Sequence, residues 1–256
     1  MSHISYSELK NWHHCPYYHK LVNIEKIKIF QGNEYTAFGT ALHSVCEDLL
    51  TEEVNISKPE LFNQKFRDEI RKLNSEDLNK KLVISMFEQG GKLSEQVLPS
   101  LEKYFDDCEV FMAEEKLYEP ITGFDDYLFK GYVDLILKED NNYHIIDWKT
   151  CSWGWDNRKR SDKMIIYQLV LYKHFFCQKY GINPKMVHTH FGLLKRTSKK
   201  DIVELFKVTS GQKRTDNALE LLHKAIKTIK SGVHIKNKLS CTSGYGCEFY
   251  KTKHCN

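Results

Sequence analysis

The sequence predicts an α/β fold with a mixed central sheet flanked by helices. Three patterns carry that expectation. Residues 129–150, FKGYVDLILKEDNNYHIIDWKT, place two β-branched apolar runs on either side of a polar KEDNN, the pattern of a β-hairpin. Residues 185–194 and 202–208 alternate in the same way around the basic KRTSKK. Helical stretches at 164–180 and 216–230 fall after each hairpin, and strands that alternate with helices build a layered α/β domain.

At 256 residues, 41% apolar and 12% aromatic, the chain is able to bury a full core, so it reads as one domain spanning 1–256 rather than a disordered tail. A formal charge of +4 permits nucleic-acid binding without arguing for it. No run of 18 apolar residues is present, and MSHISYSELK resembles neither a signal nor a transit peptide. The expectation is a soluble, intracellular, cytoplasmic protein with no membrane partner, in the host cytoplasm if it is viral. Eight cysteines in such a compartment point to metal ligation or buried thiols rather than disulfides. No helicase motif occurs, so a motor would be a separate partner.

In chain order, Ser5-Tyr6-Ser7-Glu8 is a capping-box pattern that opens a short helix leading to Cys15. A second helix runs from about 38 to 51, with Ala41, Leu42, Val45, Leu49 and Leu50 as its apolar face and His43 beside them. By itself, His43 would as readily pair with Glu47, one turn on. Residues 58–107 read as a charged helical subdomain, broken at Gly90-Gly91. Residues 110–118, VFMAEEKLY, form the first core strand, with Glu114 and Glu115 as candidates for an inward acid. The spacing to Leu117 and Tyr118 favours Glu115; a pair of edge-strand surface acids is the alternative.

The hairpin at 129–150 is the centre of the functional reading. With its turn between Asp140 and Asn141, opposed residue numbers sum to 281, which sets Asp134 across from Asp147. Opposed side chains share a face, with Cβ atoms roughly 5 Å apart. Two ionised carboxylates at that spacing repel unless a cation lies between them, and a hard divalent ion fits best. Lys149, two residues after Asp147, falls on the same face.

Beyond it, Trp153 and Trp155 are interleaved with Arg158, Lys159 and Arg160. Aromatics that stack bases beside cations that track phosphates make a single-strand platform. Tryptophans that cap the core are the alternative. In the apolar helix at 164–180, closed by Gly181 and Pro184, Gln168 and Tyr172 share one face at i and i+4. The tail spaces Cys241, Cys247 and Cys255 as C-x5-C-x7-C, with Cys15 lying 226 positions before Cys241. That spacing is looser than structural zinc sites usually show; zinc, an iron-sulfur cluster and free thiols remain open.

Gly131-Tyr132-Val133-Asp134 and Asp147-Trp148-Lys149 resemble the GxxD and D/E-x-K core of the PD-(D/E)XK nucleases, in their RecB-like branch. Gly39-x-x-x-His43 is similar to the G-x-x-x-H signature of that branch, and Gln168-x-x-x-Tyr172 to its Q-x-x-x-Y motif. One N-terminal and three C-terminal cysteines resemble the iron-sulfur staple of the AddB and CRISPR-adaptation nucleases, as does Cys247-Glu248-Phe249, although the tail departs from their C-x2-C-x5-C.

The resemblance implies a restriction-endonuclease-like fold. It implies a site for Mg2+ or Mn2+ held by His43, Asp134, Asp147 and the carbonyl of Trp148, with Lys149, Glu115, Gln168 and Tyr172 in supporting roles. It also implies a [4Fe-4S] cluster, or Zn2+, on Cys15, Cys241, Cys247 and Cys255. The implied activity is metal-dependent hydrolysis of DNA, as an exonuclease on single strands or free ends, in repair or recombination. A catalytically silent DNA-binding subunit of a recombination complex is the alternative reading.

Overall fold

The computed structural model describes residues 1–105, 107–244 and 246–255. Among these, six strands form one mixed sheet: β1 (Ser2–Ser5), β2 (Glu109–Ile121), β3 (Phe124–Glu139), β4 (Asn142–Cys151), β5 (Val187–Lys195) and β6 (Val203–Val208). Their order is β1-β3-β4-β5-β6, with β2 also paired to β3. The pairs β1–β3 and β4–β5 are parallel, and β3–β4 and β5–β6 are antiparallel. The α/β fold with a mixed sheet, expected from the patterning, is therefore the fold observed.

Packing divides the chain into two compact units, one of Met1–Gln31, Leu117–Gly131 and Gly211–Asn256, the other of Gly32–Lys116 and Tyr132–Ser210. In the first, β1 runs beside the opening half of β3, from Ser2↔Tyr127 to Ser5↔Lys130. Ser5 then caps α1 (Tyr6–His14), its hydroxyl accepting from the Glu8 N–H at 3.2 Å. Cys15 separates α1 from α2 (Pro16–His19). Near the C-terminus, α8 (Gln212–Lys230) buries Ala218, Leu222, Ala225 and Ile226, which recur on one helical face.

In the second unit, α3 (Glu34–Thr51) starts at a capping box made by Asn33 and Thr36. It packs with α4 (Lys58–Arg71) and α5 (Lys80–Tyr104) around a core of Phe38, Leu42, Phe62, Phe66, Met86 and Val97 that continues into Leu135, Ile146 and Trp148 of the sheet. The expected break at Gly90-Gly91 does not occur, because α5 runs unbroken through both glycines. Gly90 serves a close approach instead: a Cβ there would lie 2.0 Å from the Phe62 ring, so the missing side chain is the space that ring fills. A short α6 (Asn157–Arg160) and the long α7 (Lys163–Tyr180) complete the unit, with α7 capped by Asp162 and ended by Gly181.

The β3–β4 ladder has the expected register, from Leu135↔Ile146 to Glu139↔Asn142, each pair summing to 281. Asp140, the first turn residue, holds φ +52, the left-handed backbone that two-residue hairpin turns need and that Asp tolerates.

Candidate metal and nucleic-acid site

At the open end of the hairpin, Asp134 and Asp147 lie just beyond the Leu135↔Ile146 pair. There the Trp148 N–H donates to Asp134 Oδ2 at 2.7 Å, so the Asp134 side chain takes a backbone donor. Trp148 itself is buried, and its ring lies against Gly192, its partner across the parallel β4–β5 pair. A Cβ on Gly192 would sit 2.2 Å from that ring, so glycine is required to seat it.

Lys149 Nζ is 2.6 Å from Asp147 Oδ2. The contact is a close ion pair, and Oδ2 is closed off from solvent, with the Lys149 ammonium as its partner. Burial pushes the Asp147 carboxyl up to about 6; Lys149 opposes the shift and Asp134 adds to it. A buried carboxylate beside a second carboxylate is a donor set suited to a hard divalent cation.

His43 comes from α3, where Gly39 lets the helix approach β4: a Cβ on Gly39 would be 3.2 Å from Thr150 Oγ1. Its Nδ1 is 3.5 Å from Asp134 Oδ2, so it pairs with the hairpin acid rather than with Glu47. Burial disfavours the imidazolium, but its bond to Asp134 and the charges of Asp134 and Asp147 outweigh that, and its pKa is raised.

The glutamate of β2 departs from expectation. Glu115 is turned to α7, with Oε1 2.5 Å from Lys179 Nζ and 2.7 Å from the Tyr180 hydroxyl. Glu114 is the one that senses the site. Burial, then the Asp134 and Glu47 carboxylates, push its carboxyl up to about 7, with His43 opposing and Asp147 adding. The cause is local: Glu114 has φ +48, a left-handed residue inside a strand, which breaks the alternation that favoured Glu115.

On α7, Gln168 Nε2 donates to the Tyr172 hydroxyl at 3.2 Å. Burial, then the Asp147 charge, raise the Tyr172 pKa, which places the phenol in the field of the acids.

The five expected DNA-binding residues separate. Trp153 is 74% exposed, and Arg158 is exposed on α6. Trp155 is buried against Phe191 and Phe206, which is the core-capping alternative. Arg160 is spent inside the unit, 2.5 Å from Glu204 Oε1 and donating from Nε to the Trp155 carbonyl at 2.9 Å. Lys159 lies over the Trp155 ring, 4.8 Å from its centroid.

In the first unit, contacts link three of the four expected cysteines in turn. Cys15 Sγ accepts from the Asn237 N–H at 3.2 Å, and Cys241 Sγ lies 3.9 Å from the Asn237 carbonyl. The Cys247 N–H donates to the Cys241 carbonyl at 3.0 Å. Burial raises the Cys247 pKa, backbone donors oppose the shift, and Cys241 and Cys255 add to it. The residues after Cys247 dock the tail. Glu248 accepts from the Tyr18 hydroxyl at 3.2 Å and from the Phe30 N–H at 3.0 Å, and Phe249 is fully buried against Tyr18.

Three comparisons bear on identity. A family model described as the PD-(D/E)XK nuclease superfamily matches residues 3–252. A crystal structure from Eubacterium rectale, of a protein named as a candidate exonuclease, superposes with a TM-score of 0.63 at 12% identity, covering 94% of this chain and 86% of that one. A second structure, SSO0001, covers 77% of this chain and 88% of its own at 14% identity; its TM-score of 0.35 is too low to carry an argument. No curated protein matches the chain.

Proposed function

The chain belongs to the PD-(D/E)XK nuclease superfamily, and from that premise we propose that it is a divalent-metal-dependent deoxyribonuclease acting on single-stranded DNA or DNA ends, with a structural iron-sulfur cluster. The observation that carries the catalytic reading is the enclosed Asp147 carboxylate, paired with the Lys149 ammonium at 2.6 Å and charged against Asp134. Asp134, Asp147, His43 and the Trp148 carbonyl would hold Mg2+ or Mn2+. When bound, the ion supplies positive charge to the scissile phosphate and makes the attacking water more acidic.

The remaining steps belong to the chain's own groups. Lys149, held beside Asp147, would orient the water and offset charge growing on the phosphoryl oxygens. Glu114, whose carboxyl is pushed up by burial and by the Asp134 and Glu47 charges, would take the water's proton. Gln168 and Tyr172 hold a polar edge toward the acids. Exposed Trp153 and Arg158 favour an unpaired strand, since a base stacks only when it is free of its partner. The exonuclease name carried by the structural neighbour agrees with action at ends.

Cysteine chemistry and the backbone donor on Cys15 Sγ fit the sulfur-bound cluster, which would tie Cys15 to the C-terminal tail. Such a tie is structural, because these thiols and the hairpin acids belong to different packing units.

The test is incubation of anaerobically purified wild type, Asp134→Ala and Lys149→Ala with end-labelled single- and double-stranded DNA, with Mg2+, Mn2+ or EDTA. Metal-dependent ladders from the wild type alone are expected. Full activity in either variant refutes the assigned roles. Binding without cleavage by the wild type in every condition would identify a silent DNA-binding subunit.

A further inference from the structure

The other end of the catalytic hairpin carries a second group of metal-binding side chains. Ligand atoms of Cys108, Glu139 and His144 all lie within 4.8 Å of one another. Cys108 immediately precedes β2, Glu139 ends β3, and His144 is the third residue of β4. His144 Nε2 lies 3.4 Å from Glu139 Oε2, yet this nitrogen is enclosed and makes no aligned hydrogen bond. Two oxygen or nitrogen ligands on a tetrahedral zinc ion, each at roughly 2.0 to 2.1 Å, stand about 3.3 Å apart. That separation is already present.

The far side of the ring completes the arrangement. His144 Nδ1 lies 3.1 Å from His190 Nε2; in the tautomer with the hydrogen on Nδ1, His144 donates to His190 and Nε2 is free as a ligand, which is how metal-binding histidines are held. Phe105 packs on both rings, 5.0 Å from His144 and 5.1 Å from His190, and closes the site from one side.

We propose that Cys108, Glu139 and His144 form a second metal site, separate from the hairpin acids, for a zinc-class divalent cation. One thiolate, one imidazole and one carboxylate select zinc or cobalt over magnesium, and leave a fourth position to solvent. The ion would fasten the segment between α5 and β2 to the turn end of the β3–β4 hairpin. Asp134 and Asp147 stand just beyond the opposite end of the β3–β4 ladder, so the second ion would stiffen the frame that holds them.

The test uses the full chain stripped of metal and titrated with Co2+, then Zn2+, for wild type, Cys108→Ser, His144→Ala and Glu139→Gln. Wild type is expected to bind one equivalent more than Cys108→Ser or His144→Ala. It should show a thiolate-to-cobalt absorption beyond that of Cys108→Ser, because the C-terminal cysteines contribute equally to both. Glu139→Gln, at a half-exposed strand end, should fold and bind that equivalent at least tenfold more weakly, which covers the case in which the other variants fail to fold. Hydrogen exchange around 105–110 and 139–144 should slow with Zn2+ in wild type alone. Equal stoichiometry and identical cobalt spectra in wild type and Glu139→Gln, with no zinc-dependent protection, overturn the site. Because the readouts are metal content and exchange, the result stands whether or not the chain cleaves DNA.

Discussion

Glu114 and Glu115 are adjacent and chemically identical, yet one backbone angle separates their surroundings. With Glu114 left-handed at φ +48, its carboxyl joins the field of Asp134 and Asp147, while Glu115 is held by Lys179 and Tyr180. Glu114→Gln should therefore reduce cleavage at least tenfold with little change in melting temperature. Glu115→Gln should leave cleavage near wild type and cost about 0 to 1 kcal/mol, the range of partly exposed ion pairs. The reverse pattern in paired kinetic and melting measurements would return the role to Glu115. The two raised carboxyls also set a pH dependence. Asp147 takes up a proton near pH 6 and Glu114 near 7, and a divalent ion must displace those protons. Affinity for Ca2+, measured calorimetrically, should thus fall as pH drops from 8 to 5, and an affinity flat across that range would contradict the assignment.

At the scale of elements, close approaches bought with glycine position the site. Gly192 admits the Trp148 ring where β4 meets β5, so Gly192→Ala should destabilise by about 1 to 3 kcal/mol through overpacking and disturb the D-x-K strand. Chemical denaturation checks the first effect and cleavage the second. The loop after β4 offers a contrast between two tryptophans. Trp155→Ala removes a buried ring and should cost about 3 to 5 kcal/mol of stability, with DNA affinity little changed. Trp153→Ala, at a 74% exposed position, should leave stability unchanged and weaken single-strand binding by about 1 to 3 kcal/mol. Unchanged oligonucleotide binding in Trp153→Ala would remove the loop from the DNA path.

For the whole molecule, the division into two units predicts where loss of the proposed cluster would be felt. Cys15 meets the C-terminal tail through Asn237, and Tyr17 donates to the His254 carbonyl at 3.1 Å, so the tail closes the unit that also holds β1 and α8. Cys241→Ser with Cys247→Ser should abolish iron and sulfide content and speed hydrogen exchange in Met1–Gln31 and Gly211–Asn256 more than in Tyr132–Ser210. Uniform exchange across both units would argue against a structural tie. No helix among the described residues is long and apolar enough to cross a membrane.

Strand alternation, helix caps and the hairpin register were legible in the sequence because they depend on neighbours a few residues apart. The 281 register, the Ser5 cap and the α7 helix ended by Gly181 are of that kind. The mixed sheet followed from them, and so did the candidacy of Asp134, Asp147 and Lys149; the family and the role of His43 rested on motif resemblance. Tertiary structure decided the rest, because packing sets it across distances no local pattern encodes. Gly90 reads as a helix breaker until Phe62 is seen in its space, and Trp155 reads as a stacking platform until Phe191 covers it. Cys108, Glu139 and His144 share no pattern in the sequence and come together only in the folded chain. A left-handed angle at Glu114 has no sequence signature in a glutamate, since the strain is sustained only by the structure around it.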